Sequence, residues 1–177
     1  MVGIKESSFY NHYTGKETLL EAIIRYFNEA GNPVVMTDVE IHALIEQGDV
    51  RSFFVESMKR FNAITSNVLY HTAQQIVLNE GFFHPMAAEM AGKNLYHLHK
   101  AYTEQVLAGL MERGAIRPCN VQAVTAEYYY ALKGMLDELL LLQLWDRDLT
   151  AIRARISAHI DFFSRMLSPP SIEEKQP

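Results

Sequence analysis

The chain has 177 residues, 49% of them hydrophobic and 21% charged, with a formal net charge of -5. That apolar share suffices for a packed core. The acidic balance excludes a protein carried to nucleic acid by bulk charge, so any such contact must come from a local patch.

Val2-Gly3-Ile4 reads as a tight turn between helices, with Gly3 supplying the backbone freedom. Lys5 to Tyr13 reads as a short helix. Phe9 is its inward anchor, Tyr13 follows one turn on, and Ser7, Ser8, Tyr10, Asn11 and His12 face outward or flank Phe9. So short a helix must lean on a neighbour. Thr14-Gly15-Lys16-Glu17 has the form of a capping box. It opens a helix with Leu19, Leu20, Ile23, Ile24 and Phe27 at helical spacing, ended or bent by Gly31-Asn32-Pro33.

A second capping box, Thr37 to Glu40, predicts a short helix to about Glu46, closed by Gly48. Asp49 can cap the next helix, whose apolar side is Phe53, Phe54, Met58, Phe61, Ile64 and Thr65. Ser66-Asn67 reads as a break, and Val68 to Asn79 as a helix with the stripe Leu69, Ala73, Ile76 and Val77. Gly81 and His84-Pro85 mark a turn, with proline suited to the first turn of a helix. A long helix is predicted from Met86 to Arg113, with Ala87, Ala91, Leu95, Leu98, Tyr102, Val106 and Leu110 on one side. Gly114 suits a left-handed cap, and Asn120 an N-cap after the Pro118-Cys119 connector.

The last two helices differ in character. Val121 to Trp145 is apolar on more than one face. Leu149 to Leu167 carries Leu149, Ile152, Ile156, Ile160, Phe163 and Leu167 on one stripe, with Phe162 and Met166 beside it. A helix apolar nearly all round is covered on both sides. In so short a chain the second cover is expected to be another subunit: a homodimer through 121–145 and 149–167, as a four-helix bundle. The Pro- and Glu-rich tail, 168–177, is expected to be disordered. With no strand alternation and no repeat, the predicted fold class is all-α.

The stretch Gly3-Ile4-Lys5-Glu6-Ser7-Ser8-Phe9-Tyr10-Asn11-His12-Tyr13, then Lys16-Glu17 and Leu19-Leu20, resembles the second half of the DNA-binding domain of TetR-type transcriptional regulators. The passage Gly114-Ala115-Ile116-Arg117-Pro118 ahead of a long helix with Gly134 resembles that family's approach to its dimerisation helices. The resemblance implies an all-α homodimer. Residues 1–27 would be a partial helix-turn-helix domain, and residues 28–167 a ligand-binding and dimerisation domain. By position, Tyr10 and His12 would contact phosphates or base edges, and Ser8 would bond a phosphate. Lys16 would anchor the backbone at a helix N-terminus, where the dipole also favours an anion. Lys5, Glu6, Ser7 and Asn11 would read bases. The family often has Ser or Thr where Lys5 stands, so a helix cap is lost. The family's first two helices, which brace the recognition helix, are absent from this chain. The 177-residue form is therefore expected to dimerise but to bind operator DNA poorly, that binding needing residues upstream of Met1.

Met58, Phe61, His71, Gln75, Met90, Tyr102 and Tyr129 would line a cavity in the family's usual place and suit a small apolar or aromatic effector. The same Met and aromatic stripe is equally what an ordinary helical core contains. Tyr128, Tyr129 and Tyr130 point three ways round their helix, one each to pocket, core and partner. No cofactor and no metal site are expected: His97 and His99 diverge on a helix, and Lys93 sits between Glu89 and His97 on their face. No Ser-His-acid set, phosphate-binding glycine loop or paired-carboxylate motif appears, so an enzyme is not expected. Cys119 is the single cysteine, which leaves no internal disulfide and fits a reducing compartment. There is no apolar run of bilayer length and no signal-peptide layout, so no membrane partner and a cytoplasmic location are expected. Two functions compete. One is a ligand-responsive repressor released from operator DNA by a small effector. The other is a helical small-molecule-binding or protein-interaction dimer without DNA binding.

Overall fold

The computed structural model describes residues 13–31, 36–65 and 67–169. The candidate DNA contacts Lys5, Glu6, Ser7, Ser8, Tyr10, Asn11 and His12 lie outside these residues, as does most of the expected tail. The described chain is all-helical: α1 (Lys16–Gly31), α2 (Asp38–Gln47), α3 (Val50–Thr65), α4 (Val68–Glu80), α5 (Pro85–Ala91), a π-helical turn (Gly92–His97), α6 (Leu98–Glu112), α7 (Val121–Leu144) and α8 (Thr150–Leu167). Among the described residues there is no strand, and no helix is long and apolar enough to cross a membrane. The chain forms two compact units. One comprises Met1–Pro33 and Ala63–His97, the other Val34–Asn62 and Leu98–Pro177.

In the first unit α1 packs antiparallel on α4. Lys16 at the start of α1 pairs with Glu80 at the end of α4 at 3.1 Å. Near the other end, Phe27 stacks on Tyr70 with ring centroids 5.3 Å apart. Leu20, Ile24 and Phe27 of α1, with Tyr70, Ala73, Gln74 and Val77 of α4, form the buried faces. The predicted α4 stripe is corrected here: Leu69 is 68% exposed. The Phe27–Tyr70 stack turns Tyr70 inward, and Leu69 goes out with it. The predicted box at Thr14 is also corrected. The first helical bond runs from the Leu19 amide to the Gly15 carbonyl at 3.3 Å, so Gly15 is the cap residue. The Thr18 hydroxyl closes that turn by donating to the same carbonyl at 3.0 Å. The Glu17 carboxylate is drawn off to His84 Nε2, 2.8 Å away in the turn before α5.

In the second unit the caps follow the sequence. Thr37 and Glu40 exchange backbone and side-chain bonds at the start of α2, and Gly48 ends it in the left-handed region at φ 72°. Asp49 accepts from the Arg51 and Ser52 amides at 3.0 and 3.2 Å. Asn120 accepts from the Ala123 amide at 3.1 Å to open α7. Gly114 takes φ 70° after α6, and the Ala115 amide reaches back to the Leu110 carbonyl at 2.9 Å. The connector is then tied to the end of α8 by the Arg117 amide donating to Leu167 carbonyl oxygen at 2.8 Å.

Helices α7 and α8 run antiparallel: Tyr128 faces His159, and Glu138 faces Arg155. Phe53 and Phe54 of α3 fill the space against α6 and α7, both essentially inaccessible. On α8 the predicted stripe is buried at Ile152, Ile156, Ile160, Phe163 and Leu167, while Leu149 is the cap residue and only half-buried. The predicted long helix from Met86 to Arg113 is interrupted: hydrogen bonding slips to the π pattern over Gly92–His97.

Candidate functional site

Spacing on α6 creates a polar pair in an apolar setting. Residues three apart share a helix face, and His99 Nδ1 lies 2.9 Å from the Tyr102 hydroxyl. Tyr129 of α7 lies nearly parallel to the His99 ring, centroids 5.9 Å apart. The His99 carbonyl is held by the Thr103 hydroxyl at 2.7 Å. Beside Tyr129 in sequence on α7, Tyr128 is stacked by Phe54 at 4.2 Å and by His159 at 5.0 Å, with Phe163 edge-on at 5.3 Å. His159 Nε2 sits 2.9 Å from the Tyr128 carbonyl. The Tyr128 and Thr125 hydroxyls are buried and find no hydrogen-bond partner among the described residues. Such atoms are uncommon in a close-packed core.

Burial dominates the electrostatics. It lowers His99 to about 4, so the ring is neutral at pH 7. It pushes the Tyr102 hydroxyl up to about 12, against the opposing pull of Ser57 and Arg60 from α3. Tyr128 is raised by the same cause, with Tyr102 adding to it. His159 is lowered by burial despite its bond to the backbone. The result is an uncharged set of hydrogen-bonding groups among aromatic rings.

The predicted pocket residues divide between the two units. Tyr102 and Tyr129 are brought together through His99. Met58 and Phe61 are partly buried against the same core. His71, Gln75 and Met90 belong to the first unit. Gln75 is exposed, whereas Met90 Sδ accepts from Asn94 Nδ2 at 3.1 Å. The three tyrosines do diverge: Tyr128 is buried, Tyr129 is buried against His99, and Tyr130 is 52% exposed beside Lys100. Sequence reasoning set aside His99 and missed Thr125 and His159. The His99–Tyr102 spacing was the available signal, since a histidine three residues from a core tyrosine on one helix is placed to bond it. Of the candidate DNA contacts, Lys16 is described, and its exposed ammonium pairs with Glu80.

A separate cleft of about 420 Å³ lies between α2 and α3. It is rimmed by Arg51, Lys59, Arg60, Glu40 and Glu56 over Leu44 and Val55. Its cations are already engaged: Arg60 with Glu40 at 2.6 Å, Arg51 with Asp161 at 3.1 Å and Lys59 with Glu56 at 3.6 Å. Among the described residues no group of three or more His, Cys, Asp or Glu is placed to hold a metal ion. No protein-family model, curated protein or solved structure matches the chain.

Proposed function

We propose that the chain is a ligand-responsive, DNA-binding transcriptional regulator of TetR type, a repressor that a small effector releases from its operator. The observation that carries this reading is the joint match of Gly3 to Tyr13, Lys16-Glu17 and Leu19-Leu20 to the second half of that family's DNA-binding domain. The all-helical fold is compatible with it. The neutral His99–Tyr102–Tyr128 cluster supports an apolar or aromatic effector bearing hydrogen-bonding atoms. The exposed Tyr130, Leu141, Leu144, Trp145 and Phe162 support a homodimer through 121–145 and 149–167. Effector binding would act by favouring a dimer population unable to span two half-sites.

The alternative is a helical ligand-binding or interaction dimer without DNA function. The overall negative charge favours it, as does the engagement of Lys16 by Glu80, although an exposed pair of that kind is weak and yields readily to a phosphate. Selection from a pool of random DNA duplexes, by the product of the full reading frame containing this chain, separates the two. Enrichment of an inverted repeat, with binding that weakens as salt rises, supports the regulator. A pool that stays random supports the alternative.

A further inference from the structure

Over the π-helical turn Gly92–His97 the backbone departs from the uninterrupted helix its sequence pattern specifies. The stripe Ala87, Ala91, Leu95 reads as uninterrupted α-helix, and its three residues are buried as that pattern requires. A π turn is intrinsically unfavourable relative to α and persists only where side-chain packing over-determines it. One polar bond that reaches out of this turn is an amide pair. Asn94 Nδ2 donates to Asn28 Oδ1 of α1 at 3.2 Å and also lies 3.1 Å from Met90 Sδ. The same side chain is only half satisfied, because Asn94 Oδ1 is buried and has no partner among the described residues. The gain from one bond is thus offset by the desolvation of the oxygen beside it. A latch balanced in this way holds its register by a narrow margin.

We infer that the Gly92–His97 turn is a two-register element, held in the π register by the Asn28–Asn94 amide pair and able to slip to α-helical bonding when that pair parts. The slip takes up one residue. It also frees α1, the helix that follows the Lys5–Tyr13 stretch, from its bond to the turn. The inference stands on the turn itself and holds whether or not the chain binds DNA.

The test is carbon chemical shifts and amide exchange across residues 85–112 in the full chain. Asn28→Ala removes the acceptor and leaves the turn's own sequence intact. The Cα shifts of Gly92–His97 are expected to move toward α-helical values. Amide protection there is expected to rise by roughly five- to tenfold, the scale of one hydrogen bond. Deleting Lys93, which is exposed and makes room for the α register, is expected to produce the same shifts at matching positions. If the deletion variant fails to fold, Asn28→Ala decides alone. Unchanged shifts in Asn28→Ala, or a fall in protection with the π pattern kept, would show that the amide pair is only a packing contact and would overturn the inference.

Discussion

Replacing Tyr128 by Phe removes one oxygen and nothing else. The ring keeps its neighbours: Phe54 at 4.2 Å, His159 at 5.0 Å and Phe163 at 5.3 Å. Tyr128 is 3% exposed, and its hydroxyl is buried without a partner among the described residues. A buried polar group left unpaired costs about 1–3 kcal/mol. Tyr128→Phe should therefore stabilise the ligand-free protein by about 1–3 kcal/mol. In a chain of this size each kcal/mol moves Tm by about 2–4 °C. Tyr128→Ala, which empties the ring's place, should instead cost about 3–5 kcal/mol. Thermal and urea unfolding of the three proteins, free of ligand, read the effect. A fall in stability for Tyr128→Phe would mean the hydroxyl is already bonded in the resting protein. The idea that it is held open for a ligand would then go.

Further outcomes follow from particular contacts. Gly109→Ala places a Cβ 2.5 Å from Ile45 Cδ1 and should destabilise by about 1–3 kcal/mol, with Ile45→Ala in the same chain recovering part of the loss in a double-mutant cycle. His99 titrates at about 4 when folded and near the ordinary 6.5 when unfolded, so acidification protonates the unfolded chain first. Stability from this residue is therefore constant above pH 6.5 and falls as pH drops toward 4, by an amount on the order of a few kcal/mol. Urea midpoints at pH 7.5 and 5 should differ less in His99→Gln than in the parent. Glu40 is held at about 2 by Arg60 first and then by Thr37, so its contribution is present above pH 4.5 and is lost as pH falls through 2. Glu40→Gln should flatten that part of the acid-unfolding curve. Phe162→Asp with Leu141→Asp should convert the expected dimer to monomer in sedimentation without loss of helicity, since both side chains are exposed.

Most of the helix ends were legible because a cap is a local bond. Thr37 with Glu40, Asp49, Gly114 and Asn120 each satisfy groups within a few residues of themselves. The box at Thr14 misled because His84, 67 residues away, claims Glu17 in the fold. Leu69 misled because Tyr70 gains more by stacking on Phe27. The π turn is invisible to periodicity, and its Asn94 bonds Asn28 on another helix, a contact no local pattern shows. At the candidate site, Tyr102 and Tyr129 were legible as large residues at inward positions. The grouping of Thr125, Tyr128 and His159 was not, because it depends on where α7 and α8 cross.

The regulator reading is tested most directly on an inverted-repeat duplex obtained by selection. Binding by the full reading frame and by its Tyr10→Ala variant is measured by fluorescence anisotropy, with sedimentation run in parallel. The account predicts that Tyr10→Ala weakens duplex binding at least about tenfold, the loss of one good contact, while both proteins sediment as dimers. Equal affinity in the two proteins, or loss of the dimer in the variant, would contradict it.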